Sequence, residues 1–502
     1  MRQTLHIFKK DVRHLWFEIA VAITVVAAFT FTGARRALWL VHPATNRTAA
    51  WTLVMILLPL AWWTLIARVI HDEALPGDSQ FWITRPYSWK SLLGAKALFI
   101  LAFINIPMLL ADGVIVRAYG LPLGIEMPGL LWSQVLIAIV FILPIAALSA
   151  LTTGFVQLIF AVLTPCVITL GIAIVAPEVV LGGFFSGSDW VKTYYVFLLM
   201  SVAASGILVW QYSMRRTAAA RSLALAAGIL AVLGMTLIPW SAAFRIQSWF
   251  SKQRLDQSLV HVDFDSGNRW LTRAVIVEGG GRVRVELPLT ITGLPAGMIA
   301  KPEGFSVDLQ APDGAMWQAD QLPLRIASKM GQKFSLEATV DSAFYRRVKD
   351  EPLKVRGSVY MTLFGNRQTV RVPFGDRSVP VPRVGVCSAS GGANGQSYFL
   401  ICSSAFRFPP VLFSYSFKQS AKEAVQDVWS STEPRRPISY SPFPAELGIS
   451  PVSQDFTFST VAVPLSEARV DTVEPLAHIR RNLEINNLRL GDFEVRPAPV
   501  SP

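Results

Sequence analysis

Residues 49–67 read Ala-Ala-Trp-Thr-Leu-Val-Met-Ile-Leu-Leu-Pro-Leu-Ala-Trp-Trp-Thr-Leu-Ile-Ala, a run of 19 residues without a charge. A bilayer core about 30 Å thick is crossed by roughly 20 mostly apolar helical residues. The run therefore reads as a membrane span. Six further stretches have the same character: Trp16–Gly33, Leu98–Val116, Leu130–Leu151, Gly154–Val175, Val191–Trp210 and Leu223–Phe244. Glu18 and Lys192 stand just inside the ends of the first and sixth. There a charge can snorkel, at less than the midplane cost of about 2.5–3.5 kcal/mol. Trp16, Trp39, Trp132, Trp190, Trp210 and Trp240 fall at or near span ends, as an aromatic belt requires. The first run exceeds a signal-peptide core, and Ala34-Arg35-Arg36 offers no small-residue cleavage site, so it reads as a retained anchor.

The composition agrees. Of 502 residues, 52% are hydrophobic and 16% charged, against roughly 25% charged in soluble domains. Disordered, collagen-like and disulfide-dense chains are excluded. Residues 1–244 hold 16 of the 46 Lys+Arg and 9 of the 34 Asp+Glu, which leaves 30 and 25 for residues 245–502. A lipid-like half is joined to a water-like half. With the N-terminus in the cytoplasm, the inner segments carry 11 basic residues and the outer loops 5, the sense of the positive-inside rule. Seven spans then place everything after Phe244 outside the cytoplasm.

Residues 245–502 read as β-rich. Arg282-Val283-Arg284-Val285-Glu286-Leu287 alternates as a strand with one buried face does. Val359, Met361 and Leu363, then Gly365-Asn366, then Val370 and Val372 read as a hairpin around a tight turn. Ser420–Trp429 is the one short helical pattern. The fold expected is thus an α-helical polytopic membrane bundle of about seven spans followed by a β-rich, β-sandwich-like extracytoplasmic domain. Its parts are an amphipathic interfacial helix over 1–15, the span region over 16–244, a β-rich module over 245–380, and over 381–502 a second β-rich module or a continuation of the first. Cys387 and Cys402 flank a Gly/Ser/Asn-rich connection. A disulfide between them can persist outside the cytoplasm and would add about 3 kcal/mol through lost loop entropy; two buried free thiols are the alternative. Cys166 lies in the fifth span.

Signals of catalysis are weak. No G-x-x-x-x-G-K-[ST] cradle for nucleotide phosphates occurs, and Gly94-Ala95-Lys96-Ala97 lacks the other required positions. Glu278–Gly281 and Gly391–Gly395 read as hairpin turns. No two of the six histidines have metal-ligand spacing. His261-Val262-Asp263-Phe264-Asp265 puts three polar side chains on one strand face, but the calcium-loop spacing breaks at Gly267, so it reads as a solvated face. No cofactor is expected. The basic excess of the outer half is too diffuse for nucleic-acid binding. Asp112 stands four residues from the outer end of the third span, where water is expected near it, and Asn105, Pro107, Pro144, Gln157 and Pro165 read as tolerated inside a bundle.

Two elements on the inner side are more informative. Leu5, Phe8, Val12, Leu15 and Trp16 recur at helical spacing, with Lys9, Lys10 and Arg13 elsewhere: an amphipathic helix suited to a membrane surface. After the second span come Ile66-Ala67-Arg68-Val69-Ile70-His71-Asp72-Glu73, then Pro76-Gly77-Asp78, then Phe81-Trp82-Ile83-Thr84-Arg85-Pro86-Tyr87-Ser88-Trp89-Lys90-Ser91-Leu92-Leu93-Gly94-Ala95-Lys96. The order of acidic turn, hydrophobic-x-Arg-Pro-x-Ser stretch and Leu-Leu-x-x-Lys ending resembles the permease subunits of type 2 ATP-binding-cassette transporters. The resemblance covers about residues 1–212. It implies a bacterial inner-membrane permease of an ATP-driven exporter, without an ATPase motif of its own. It also implies two partners, a separate ATPase subunit and a second permease subunit, identical or not. Asp72, Glu73, Asp78, Phe81, Trp82, Arg85, Pro86, Lys90 and Lys96 would carry the coupling helix that docks on the ATPase. The seventh span and the large outer domain depart from the minimal six-span pattern.

The rival expectation is a non-transporting anchor or sensor that displays the β-rich domain; an enzyme built on His261–Asp265 ranks third. The topology is testable by itself. A cysteine-reactive or fusion reporter placed beside Pro380 should report the outer side, and a cytoplasmic signal there would overturn both the seven-span count and the setting of the disulfide.

Overall fold

The computed structural model describes residues 2–38, 48–73, 88–175, 189–238, 240–253, 259–265, 273–277, 282–320, 333–375, 378–382, 384–391, 397–405, 412–419, 451–460 and 465–493. Ser420–Trp429 lies outside them. In lipid every backbone N–H and C=O needs a partner within the chain, which a helix supplies to itself. The apolar runs accordingly fold as α2 (Trp16–Leu38), α3 (Thr48–His71), α4 (Trp89–Ala118), α5 (Leu123–Leu151), α6 (Phe155–Val175), α7 (Asp189–Met214) and α8 (Thr217–Leu237), preceded by α1 (Arg2–His14) and followed by α9 (Trp240–Trp249). Among the described residues, six helices are long and apolar enough to cross a membrane. The fifth expected span falls on α6, whose stretch Phe155–Thr164 counts as a shorter apolar helix.

Proline explains where the helices depart from the sequence reading. α4 and α5 are 30 and 29 residues long. Each contains a π-turn, Leu101–Asn105 and Ala138–Ile142, just before Pro107 and Pro144. A proline has no N–H to close an α-helical turn, and the ladder shifts register instead. The seventh expected span, Leu223–Phe244, is broken in two. Ile238 turns extended at ψ 111°, as the residue before a proline does, so α8 ends and α9 starts anew.

The bundle core is built from Leu58, Trp62, Leu65, Phe99, Met108 and Ala147. α2 packs on α3 and α4, with Phe29 stacked on Trp51 at 5.4 Å, and α7 packs on α5 and α8. Polar contacts mark one end. Arg68 Nε donates to Glu18 Oε1 at 3.2 Å, His71 Nε2 lies 3.1 Å from Thr152 Oγ1, and Arg221 donates to Leu151 O at 3.1 Å. This is also the end where α1 packs on α4.

The remaining chain forms three antiparallel sheets. The first holds β1 (His261–Phe264), β2 (Arg273–Val277), β3 (Arg282–Thr292) and β6 (Lys333–Asp341), with β3 between the others. The second has the order β11 (Leu412–Gln419), β13 (Leu465–Leu488), β7 (Leu353–Pro373), β4 (Ile299–Gln310), β5 (Met316–Asp320). The third has the order β12 (Val452–Thr460), β10 (Ser397–Ala405), β9 (Gly385–Gly391), β8 (Val379–Val381). A short helix, α10 (Ser342–Val348), starts on the Asp341 cap. The alternation read in Arg282–Leu287 is real: Val283, Val285 and Leu287 are buried. One core lies between the first and second sheets and a smaller one between the third and second. The long strands β7 and β13 line both. Cys387 and Cys402 are cross-strand neighbours on β9 and β10 and are joined as a disulfide.

The expected hairpin at Gly365-Asn366 is not one. β7 runs straight through: Gly365 pairs with Glu474, and Asn366 and Arg367 bulge opposite Val473, with Asn366 at φ 53°. Asn366 tolerates this left-handed conformation, and its Nδ2 donates to Glu474 Oε1 at 2.7 Å.

α9 clamps the second sheet from outside. Phe244 packs on Tyr360 at 5.2 Å and on His478 at 6.0 Å. His478 Nδ1 lies 3.2 Å from Gln247 Nε2 and 2.9 Å from Thr362 Oγ1. Lys252 Nζ reaches Glu474 at 2.9 Å, and Gln253 N donates to Leu476 O at 2.9 Å. Burial holds the His478 imidazole down at about 4, against an ordinary value near 6.5. The unfolded chain therefore binds this proton first as pH falls. Between about pH 6.5 and 4 the folded state should lose roughly 3 kcal/mol from this group alone. Thermal unfolding of the full chain in detergent should show that slope, and His478→Gln should flatten it; an equal slope in the variant would assign the titration elsewhere.

Candidate functional site: a charged cluster beneath the amphipathic helix

α1 has an apolar face that buries Ile7 and packs Phe8 and Val12 against the bundle, with Phe8 stacked on Phe103 at 6.0 Å. One acid shares that face. Asp11 follows Ile7 by four residues, one helical turn on, and is only 1% exposed.

The partner of Asp11 comes from α4. Ser88 caps this helix, its Oγ accepting from Ser91 N at 3.1 Å, and two turns later Lys96 points into the bundle, 2% exposed. Lys96 Nζ donates to Asp11 Oδ2 at 2.8 Å and to Glu73 Oε1 at 3.3 Å. Glu73 is buried just past the end of α3, where its N–H bonds Ile70 O. An outer layer closes over the three. Lys10 Nζ stands 3.5 Å from Asp72 Oδ2 and 3.7 Å from Glu73 Oε1, and His14 Nε2 lies 3.4 Å from Asp72 Oδ1. Tyr212 of α7 is buried in the same apolar core.

Burial pushes the Asp11 carboxyl up from its ordinary range, and the Lys96 ammonium and its hydrogen bond only partly offset this; Glu73 adds to the rise. Removing either charge of such a pair leaves the other stranded, at a cost of about 3–5 kcal/mol. Carboxylate oxygens of Asp11, Asp72 and Glu73 lie within 4.8 Å of one another, a spacing that a metal ion could bridge. The ammonium groups of Lys96 and Lys10 already stand among them and supply the positive charge.

Of the residues read as a coupling loop, the structure brings together Asp72, Glu73 and Lys96. Lys90 is exposed and lies over the Trp89 ring at 5.7 Å. Asp78, Phe81, Trp82, Arg85 and Pro86 lie outside the described residues. Sequence reasoning missed Asp11, Lys10 and His14. The available signal was the one acid of α1, set on its apolar face. The face read at His261–Asp265 is solvated: His261 and Asp263 are exposed, and Thr292 and Thr290 donate to Asp263 and Asp265 at 3.2 and 3.3 Å.

Comparison of the chain with family models, curated proteins and solved structures finds no match.

The cluster predicts strong non-additivity. Lys96→Met keeps the length of the side chain but leaves Asp11 and Glu73 facing each other, and should destabilise the detergent-solubilised protein by about 3–5 kcal/mol. Adding Asp11→Asn and Glu73→Gln should restore most of the loss. Unfolding midpoints of the single and triple variants check this; a Lys96→Met variant as stable as the parent would show that the three charges do not hold each other.

Proposed function

We propose that the chain is the membrane permease subunit of an ATP-driven exporter of the ATP-binding-cassette type, coupled to a separate ATPase through the segment between α3 and α4. One observation carries this reading. Glu73 and Lys96, which flank that segment, are bound to each other and to Asp11 of α1 in one buried cluster. A push that reaches Glu73 or Lys96 therefore moves the ends of α3, α4 and α1 together. Such a lock is what a lever between a motor and a helix bundle needs. The positive-inside count supports placing this end in the cytoplasm of a bacterial cell. On the seven-span reading, with α6 counted as a span, the β-rich region is then extracytoplasmic, where the Cys387–Cys402 disulfide persists. Hydrolysis belongs to the partner, and a second permease subunit completes the pathway. ATPase closure would shift the bundle between two access states by changing their populations.

The experiment spares the cluster. Residues 74–87 are replaced by a Gly/Ser linker of equal length, and parent and variant are purified from native membranes. A cassette ATPase should accompany the parent and be lost, or be uncoupled from transport-stimulated hydrolysis, in the variant. Recovery of the parent without any ATPase, or hydrolysis indifferent to the replacement, would favour the membrane anchor that merely displays the β region.

A further inference from the structure

A second polar group lies deeper in the bundle. Sixteen residues beyond Lys96, about 24 Å along α4 at 1.5 Å per residue, stands Asp112. Water was expected beside it, so near the end of a span. Instead it is 2% exposed, among Met108, Ala111, Ile115 and Leu130, all buried. Its Oδ2 accepts from Gln134 Nε2 at 3.1 Å, and Gln134 Oε1 accepts from Asn105 Nδ2 at 3.4 Å. Asn105 and Asp112 are seven residues apart, two turns on one face of α4, and Gln134 of α5 bridges them. Asp112 Oδ1 is buried with no hydrogen-bond partner among the described residues.

The charge balance of this group is incomplete. Gln134 and Asn105 are neutral. The ionisable side chains nearest in sequence on the same and adjoining helix ends are Arg117 on α4, Glu126 on α5 and Arg35 on α2, the last over the Phe31 ring at 4.5 Å. None of these pairs with Asp112 among the described residues. A carboxyl sunk between helices with one amide donor is far short of what an anion loses on leaving water. Ionisable groups inside a membrane bundle are kept where they bind or relay something. The bare oxygen identifies what is missing, a small positive charge that fits without a cavity. Both helices that supply the group are widened by π-turns, a local irregularity frequent at functional sites.

We propose that Asp112, beside Gln134 and Asn105, is the centre of an intramembrane binding site for a small monovalent cation, a proton or a sodium ion. The site does not depend on the ATPase and stands or falls separately from the exporter reading.

Dicyclohexylcarbodiimide enters membranes and modifies carboxyls in their protonated form, which makes it the probe. Full-length protein in liposomes is treated with it and the modified peptides are mapped by mass spectrometry. Asp112 should be modified, the extent falling as pH is raised and the carboxyl gives up its proton. Asp112→Asn, which keeps an oxygen for Gln134, should abolish modification at that position. Exchanging choline chloride for sodium chloride distinguishes the two cations. Protection by sodium means that sodium competes for the carboxyl; no protection assigns the site to the proton alone. An Asp112 left unmodified at every pH while other carboxyls of the same sample react overturns the proposal, as does modification that ignores both pH and sodium.

Discussion

The Lys96 ammonium, held between the carboxylates of Asp11 and Glu73, is the contact on which one end of the molecule depends. Three chain segments that are distant in sequence are joined there by one side chain: a surface helix, the end of one span and the start of another. Apolar packing could hold them as firmly, and replacing buried ion pairs by well-packed apolar groups is often neutral or stabilising. What an ion pair adds is register. A lysine ammonium satisfied at 2.8 and 3.3 Å does not tolerate a helix rotated by one residue, whereas a leucine does. The cluster fixes how α1, α3 and α4 are set against one another, at a desolvation cost that the apolar core offsets.

The β-rich region is tied down by a different principle. No single contact between α9 and the second sheet is strong; the joint combines an edge-on aromatic pair, a buried histidine with two polar neighbours, and an ion pair with Glu474. Its firmness comes from what lies behind it. β13 pairs with β7 over most of its 24 residues and contributes to both cores. Displacing α9 therefore means displacing a strand pair that two sandwiched cores hold in place.

Much of this was legible in the sequence, for physical reasons that differ by element. Span-length apolar runs have no alternative home in water, so Ala49–Ala67 could be read from length alone. The alternation at Arg282–Leu287 works the same way for a half-buried strand. Pairing over long separations was not legible. Nothing local announces that the chain bulges after Gly365 instead of turning back, because the bulge is set by pairing with β13 around Glu474, more than 100 residues away. Pro239 as a helix stop was readable, and the apolar residues on both sides of it hid the break. In the charged cluster Glu73 and Lys96 were chosen for the segment they flank. Asp11 was overlooked because a single acid in a basic helix looks like solvated surface until its face is traced.

The order of features along α4 constrains how any motion would travel. Lys96 precedes the π-turn Leu101–Asn105, and Asp112 follows it. Up to the π-turn the helix is locked to α1 and α3, so it can only move with them. Beyond the π-turn it is paired to α5 through Gln134, and α5 carries its own π-turn at Ala138–Ile142. A push at the α1 end would therefore be absorbed where the ladders are already widened. Those places lie beside Asn105 and within one turn of Gln134. Polar side chains spaced across such a bend change their separation when it flexes, while apolar side chains merely slide. A shift that moved Gln134 away from Asp112 would strip the carboxyl of its one hydrogen bond and change its hold on a bound cation. By reciprocity, occupancy of Asp112 would bias the bend by the same free energy. Coupling of the two polar groups on α4 would then run through helix geometry, without contact between them.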